Sequence, residues 1–191
     1  IQQNDLPGLA PENRVLGVIR PTAEVIGNYS QSKFIGVMAT NGTVQSESYI
    51  LEIRKFFPDI HVLQQACPMW VPLIENNEQK SKGADFFIKK YIHNLLHREE
   101  RIDTILLACT HYPLMIKKIK EYMPADMKLL SQGDIVADSL FDYLHRHPEM
   151  ETRLSKNGSR DFFTTDSTAD FDGHTLAFFG ETVQSNHVYL G

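Results

Sequence analysis

The chain predicts an α/β fold: a parallel sheet with helices on both faces. Three observations carry that prediction. Short apolar runs alternate along the 191 residues with longer stretches of helical periodicity, the rhythm of successive βαβ units. One run, Ile105-Leu106-Leu107-Ala108, is apolar or small at every position, as a strand covered on both faces requires. Turn-forming and helix-capping residues follow the runs, so strand passes to helix through tight corners.

The elements then fall in order. Residues 1–11 hold Pro7, Gly8 and Pro11 and read as a loop. The apolar run 15–19 is a first strand, and 21–28, with Pro21 at its start, a helix. Residues 34–39 form the second strand. Asn41-Gly42 turns the chain, and Thr43 caps a helix over 44–56 that Pro58 stops. Residues 61–65 are the third strand. An amphipathic helix over 81–97 sets Phe86, Phe87, Tyr91, Leu95 and Leu96 near helical spacing. The fourth strand spans 102–108 and its helix 114–122. A fifth strand at 128–130 leads into a helix over 135–145. Beyond it, 146–160 is polar and broken by Pro148, Asn157 and Gly158. Residues 162–165 are a strand, 167–173 a polar, acidic loop, and 177–180 the start of a last short element. Right-handed crossovers bring every strand-to-helix corner to one edge of the sheet.

Composition narrows the function. The formal net charge of −5 argues against a nucleic-acid binder, which carries a basic surplus. No apolar run approaches the roughly 18 residues that a membrane span needs. Cys67 and Cys109 are the two cysteines, with no signal-like segment ahead of them, so a reducing compartment, the cytoplasm, is expected. They lie far apart, and the histidines are scattered, so no metal site is expected. His174 and His187 read as ordinary surface or core histidines.

Chemistry collects after the fourth strand, where Cys109, Thr110 and His111 follow the apolar run with no spacer and Pro113 opens the next helix. Ligands of open α/β sheets sit outside the carboxyl ends of the strands, which is where this thiol, hydroxyl and imidazole fall. A helix N-terminus or a neighbouring imidazolium lowers a thiol's pKa toward a useful range. A nucleophile and a proton carrier are both open uses of such a thiol. A cysteine ending a buried strand also serves as a small core residue, and the residues alone leave that alternative standing.

Leu107-Ala108-Cys109-Thr110-His111-Tyr112-Pro113-Leu114 resembles the second catalytic-cysteine motif of the glutamate racemases, with Ala108 where members usually have Gly. Three further stretches resemble the same family in the same order. They are Gly17-Val18-Ile19-Arg20-Pro21, Gly36-Val37-Met38-Ala39-Thr40-Asn41-Gly42-Thr43-Val44, and the Ala66-Cys67-Pro68 segment that runs to Glu75. The resemblance implies an Asp/Glu racemase-like fold, here one complete domain plus the C-terminal segment of a second. Residues 1–13 are then a linker from an N-terminal region not contained in the chain. Residues 14–130 are the second α/β domain, and 131–191 return to the first. Neither the family's Ala-Cys-Asn-Thr stretch, which holds its first catalytic cysteine, nor its early Asp-Ser pair occurs here. Phe162, Phe163, Phe178 and Phe179 are expected to lack part of their cover.

The resemblance further implies a cofactor-independent, two-thiol interconversion of L- and D-glutamate that supplies D-glutamate for peptidoglycan and so for the cell wall. Cys109 is one of the two thiols, and His111 assists it and contacts substrate. Thr110, Thr40 and Thr43 bind substrate; Glu75 reads first as a solvated helix-end carboxylate, with an auxiliary role in setting the protonation of His111 as the alternative. Cys67 is a packing residue. The partner is a small molecule, glutamate, and a homodimer is the assembly brought into view. An aspartate- or hydantoin-type racemase of the same fold, and a non-catalytic α/β binding module, are the competing readings.

Overall fold

Four strands build the main sheet: β1 (Phe34–Ala39), β2 (His61–Ala66), β3 (Thr104–Leu107) and β4 (Lys128–Ser131), side by side as β2-β1-β3-β4. In this computed structural model, which describes residues 5–190, every pairing in that sheet is parallel. The helices in chain order are α1 (Leu6–Leu9), α2 (Ile19–Val25), α3 (Asn41–Gln45), α4 (Ser48–Phe56), α5 (Trp70–Glu75), α6 (Lys82–Arg98), α7 (Ile116–Glu121), α8 (Gln132–Arg146), α9 (Pro148–Glu151) and α10 (Thr168–Phe178). A second, two-stranded parallel sheet pairs β5 (Phe162–Thr164) with β6 (Ser185–His187).

Alternation along β1 and β3 divides the core in two, because successive side chains leave a strand on opposite faces. Ile35, Val37, Ala39 and Leu106 meet Ala23 of α2 with Tyr49 and Ile53 of α4. Met38, Ile105 and Leu107 meet Trp70 and Ile74 of α5, Ile88 and Leu95 of α6, and Ile119 of α7. Burial on both faces is why these strands read as unbroken apolar runs. Gly36 belongs to the second face, and a Cβ there would stand 2.6 Å from Leu95 Cδ2, so the missing side chain lets α6 approach β1.

Several expected elements differ. Residues 15–18 form neither strand nor helix. Val15, Leu16 and Val18 stay about half exposed, and the chain enters α2 at Ile19, with Pro21 in the first turn. The expected loop over 1–11 contains the single turn α1, and residues 1–4 of it lie outside the described residues. The expected helix over 44–56 is two helices. Thr40, not Thr43, is its N-cap: Thr40 Oγ1 accepts from the Thr43 N–H at 3.4 Å, which starts α3 at Asn41. Ser46 Oγ then donates back to Thr43 O at 2.9 Å and Glu47 turns to φ 52°, breaking the helix before α4. The expected strand over 102–108 begins at Thr104 and ends at Leu107.

The largest departures lie late in the chain. The expected loop over 167–173 is the start of α10, where Ser167 Oγ accepts from the Asp170 N–H at 3.2 Å. The expected short element over 177–180 is that helix's end, closed by Gly180 at φ 84°. Of the four phenylalanines expected to lack cover, Phe163 is the most exposed at 58 %, and Phe162 is half-buried against Phe179.

Candidate active site

The strand order reverses direction between β1 and β3: the chain steps from β1 outward to β2, then returns past β1 to β3 and β4. Carboxyl ends of strands that flank such a switch point form a crevice. Met38 pairs with Leu107 across it, so Thr40 and Cys109, each two residues further on, sit at the same edge. Ala66, paired with Ala39, carries Cys67 to that edge as well.

Cys109, half-buried, aims Sγ at His111 Nδ1 at 3.9 Å, and His111 Nε2 stands 3.2 Å from Glu75 Oε1. Thiol, imidazole and carboxylate are thus in line. Cys109 and His111 come from one corner, whereas Glu75 arrives from the end of α5, a helix the periodicity did not predict. The 3-10 turn Tyr112–Met115, with Pro113 in it, follows directly and leads into α7. Tyr112 is fully buried, donates its hydroxyl to Cys67 O at 3.3 Å and meets Trp70 edge to face at 4.8 Å. This anchors the corner to the start of α5, so the elements carrying Cys109 and Glu75 are fixed to each other.

The electrostatics correct one expectation. Burial pushes the Cys109 thiol above its ordinary value, and the Glu75 charge adds to that rise. The N–H groups of His111 and Tyr112 pull it down but do not win. The thiol therefore rests protonated at neutral pH in this state. Cys67 is 1 % exposed, donates toward Gln65 O at 3.6 Å, and is driven upward by burial far more strongly. It sits in the core with Trp70 and Tyr112.

Thr110 is exposed beside the line, and Thr40 Oγ1 and Thr43 Oγ1 lie 3.1 Å apart across the first turn of α3. Two residues beside the site were not read from the sequence as part of it. Tyr49 of α4 is buried, its hydroxyl pushed up to about 12 by burial, with the Gln132 amide opposing and Cys109 adding to the rise. Phe178, at the end of α10, sets its ring edge to face against His111 at 5.1 Å. A capping pattern, Ser167-x-x-Asp170, was the available signal for the helix that brings it there. Among the described residues no group of three or more His, Cys, Asp or Glu side chains could hold a metal, and no helix is long and apolar enough to cross a membrane.

Fold and corner together define an α/β protein with a thiol–imidazole–carboxylate line at the switch point of a parallel sheet. No family model matches the chain. It is 33 % identical over 157 residues to the glutamate racemase of Geobacter metallireducens, covering 82 % of this chain and 57 % of that protein. It is 32 % identical over 176 residues to the glutamate racemase of Streptococcus uberis, covering 92 % and 66 %. Among solved structures it superposes on glutamate racemase isoform RacE1 from Bacillus anthracis with a TM-score of 0.81 at 28 % identity, over 97 % of this chain and 69 % of that one. The racemase of Francisella tularensis, solved with D-glutamate, gives 0.75 at 25 % identity over 91 % and 62 %. The chain is similar to the glutamate racemases and spans between about half and two thirds of the length of these curated relatives.

Proposed function

We propose that the chain is the second α/β domain and closing segment of a glutamate racemase, an isomerase that inverts the α-carbon without a cofactor. The observation that carries this is the line from Cys109 through His111 to Glu75 at the carboxyl edge. Residues 14–130 form the domain, 131–191 the segment that returns to the first domain, and 1–13 the linker that leads from that first domain into residue 14.

Inversion requires that the α-proton leave one face and a proton arrive on the other. The C–H electron pair stays on the substrate, delocalised toward its carboxylate, while one sulfur takes the proton and a second sulfur gives one. Cys109 is the sulfur on one face. Its thiol is raised by burial, which keeps it charged with a proton to deliver. His111 meets it through Nδ1, and Glu75 stands on Nε2 at the far side of the ring. Thr110, Thr40 and Thr43 present hydroxyls and backbone N–H groups to the substrate at the same edge. Cys67 is too deeply buried to be the opposite sulfur, so that thiol comes from outside these 191 residues. The product D-glutamate serves peptidoglycan synthesis in the cytoplasm, and a homodimer is the assembly to test.

Circular dichroism of the full-length gene product with L- and with D-glutamate tests the reading. Both solutions should converge on zero ellipticity. Turnover of aspartate or of a hydantoin in place of glutamate would give the activity to a sister racemase, and inertness toward all three would leave a binding module.

A further inference from the structure

The contact between Phe178 and His111 joins parts of the chain that the main sheet does not connect. His111 follows β3, whereas Phe178 ends α10, a helix packed with β6 of the small sheet. Their rings meet at 5.1 Å with planes 77° apart, and the ring of His174, one turn earlier on α10, lies 6.0 Å from that of Phe178. Three neighbours therefore hold the imidazole: Cys109 Sγ at Nδ1, Glu75 Oε1 at Nε2, and the Phe178 ring. The first two are loose. The Sγ contact is 3.9 Å, and Glu75 sits on an exposed helix end with its side chain 50 % accessible. Neither fixes the ring tightly, and the aromatic contact supplies the missing constraint.

We propose that Phe178 is a positioning residue, by which the C-terminal unit holds the His111 ring with Nδ1 toward the Cys109 thiol. It acts through His111. An edge-to-face pair biases a ring's orientation by a factor of about 2 to 12, so releasing it lowers by that factor the time the imidazole spends facing the thiol. Phe179 serves as the internal control. It is next on the same helix, but its ring meets Phe162 and the Arg160 guanidinium instead.

This rests on reading Cys109 and His111 as a proton-transfer pair, but its test does not need glutamate turnover. The test is a double-mutant cycle on the rate at which iodoacetamide alkylates Cys109 near neutral pH, with the site identified by peptide mass. Phe178→Ala should slow alkylation about 2- to 12-fold in the full-length gene product and leave it unchanged in a His111→Ala background. Phe178→Tyr, which keeps the ring, should restore the parent rate. Phe178→Leu, which keeps apolar bulk without a ring, should behave like Phe178→Ala, and Phe179→Ala should have no effect. The same slowing in both backgrounds, a normal rate with Phe178→Leu, or no effect of Phe178→Ala in a folded protein would overturn the proposal.

Discussion

A thiol that rests protonated is a different reagent from one activated at a helix start, and Cys109 is of the first kind. Burial raises it, and the two N–H groups at the corner only moderate the rise. Its alkylation rate should therefore keep climbing through and past the ordinary thiol value of about 8.5, because the thiolate is the reacting form. Cys67 should stay unmodified while the chain is folded. A pH profile of iodoacetamide labelling, read by peptide mass, checks both, and a rate already level near neutral pH would contradict the assignment. Adjacency in sequence made Cys109 and His111 legible as a pair. The direction of the thiol's shift was not legible, since the burial that decides it depends on the packing around the corner. Glu75 was in view only through the family resemblance, and its place on His111 depends on α5. Phe178 was named merely as an uncovered apolar side chain, because no sequence pattern links it to a residue after β3.

At the scale of elements, the amino edge of the sheet is held by a carboxylate. Asp103 Oδ2 accepts from the N–H groups of Gln31 and Ser32 at 2.7 and 2.8 Å, and Oδ1 accepts from Thr104 Oγ1 at 3.0 Å. Burial opposes the charge of Asp103, but these bonds and the Ser30 hydroxyl outweigh it and bring its pKa to about 2. A depressed carboxylate stabilises the fold fully above its unfolded value of about 3.9. That contribution is lost as pH falls from there through about 2. Asp103→Asn should cost about 1.5–3 kcal/mol at neutral pH and flatten the acid limb. Urea unfolding across that pH range measures this, and an unchanged acid limb would sink it. The same edge shows why element boundaries were harder to read than elements. Strands buried on both faces announce themselves as apolar runs, as β1 and β3 do, whereas β2 and β4 at the sheet's edges are only partly buried and were legible by their place in the βαβ rhythm. The break at Glu47 and the cap on Thr40 depend on single side-chain hydrogen bonds. Helix α10 was hidden because its first turns, Thr168 to Gly173, are composed like a loop.

On the scale of the whole molecule, the parallel sheet with helices on both faces follows from the βαβ rhythm. The strand order β2-β1-β3-β4, which creates the crevice, was not written in any one segment. The sheet has its own two-sided core, so the 191-residue chain should fold through β4 on its own. It should not racemise glutamate by itself, since it offers one reachable thiol for a reaction that needs one on each face. Sustained loss of optical activity from the purified chain would show that the second proton carrier lies within it. The central claim is narrower: Cys109 carries a proton to and from the glutamate α-carbon. Exchange of the α-proton of L-glutamate in D2O, followed by proton NMR with the full-length gene product, addresses it directly. The parent protein and its Cys67→Ala variant should exchange and racemise, whereas Cys109→Ser should abolish turnover, because a hydroxyl is far too weak an acid to take the thiol's place. Retained activity in Cys109→Ser, or equal loss in both variants, would contradict the account.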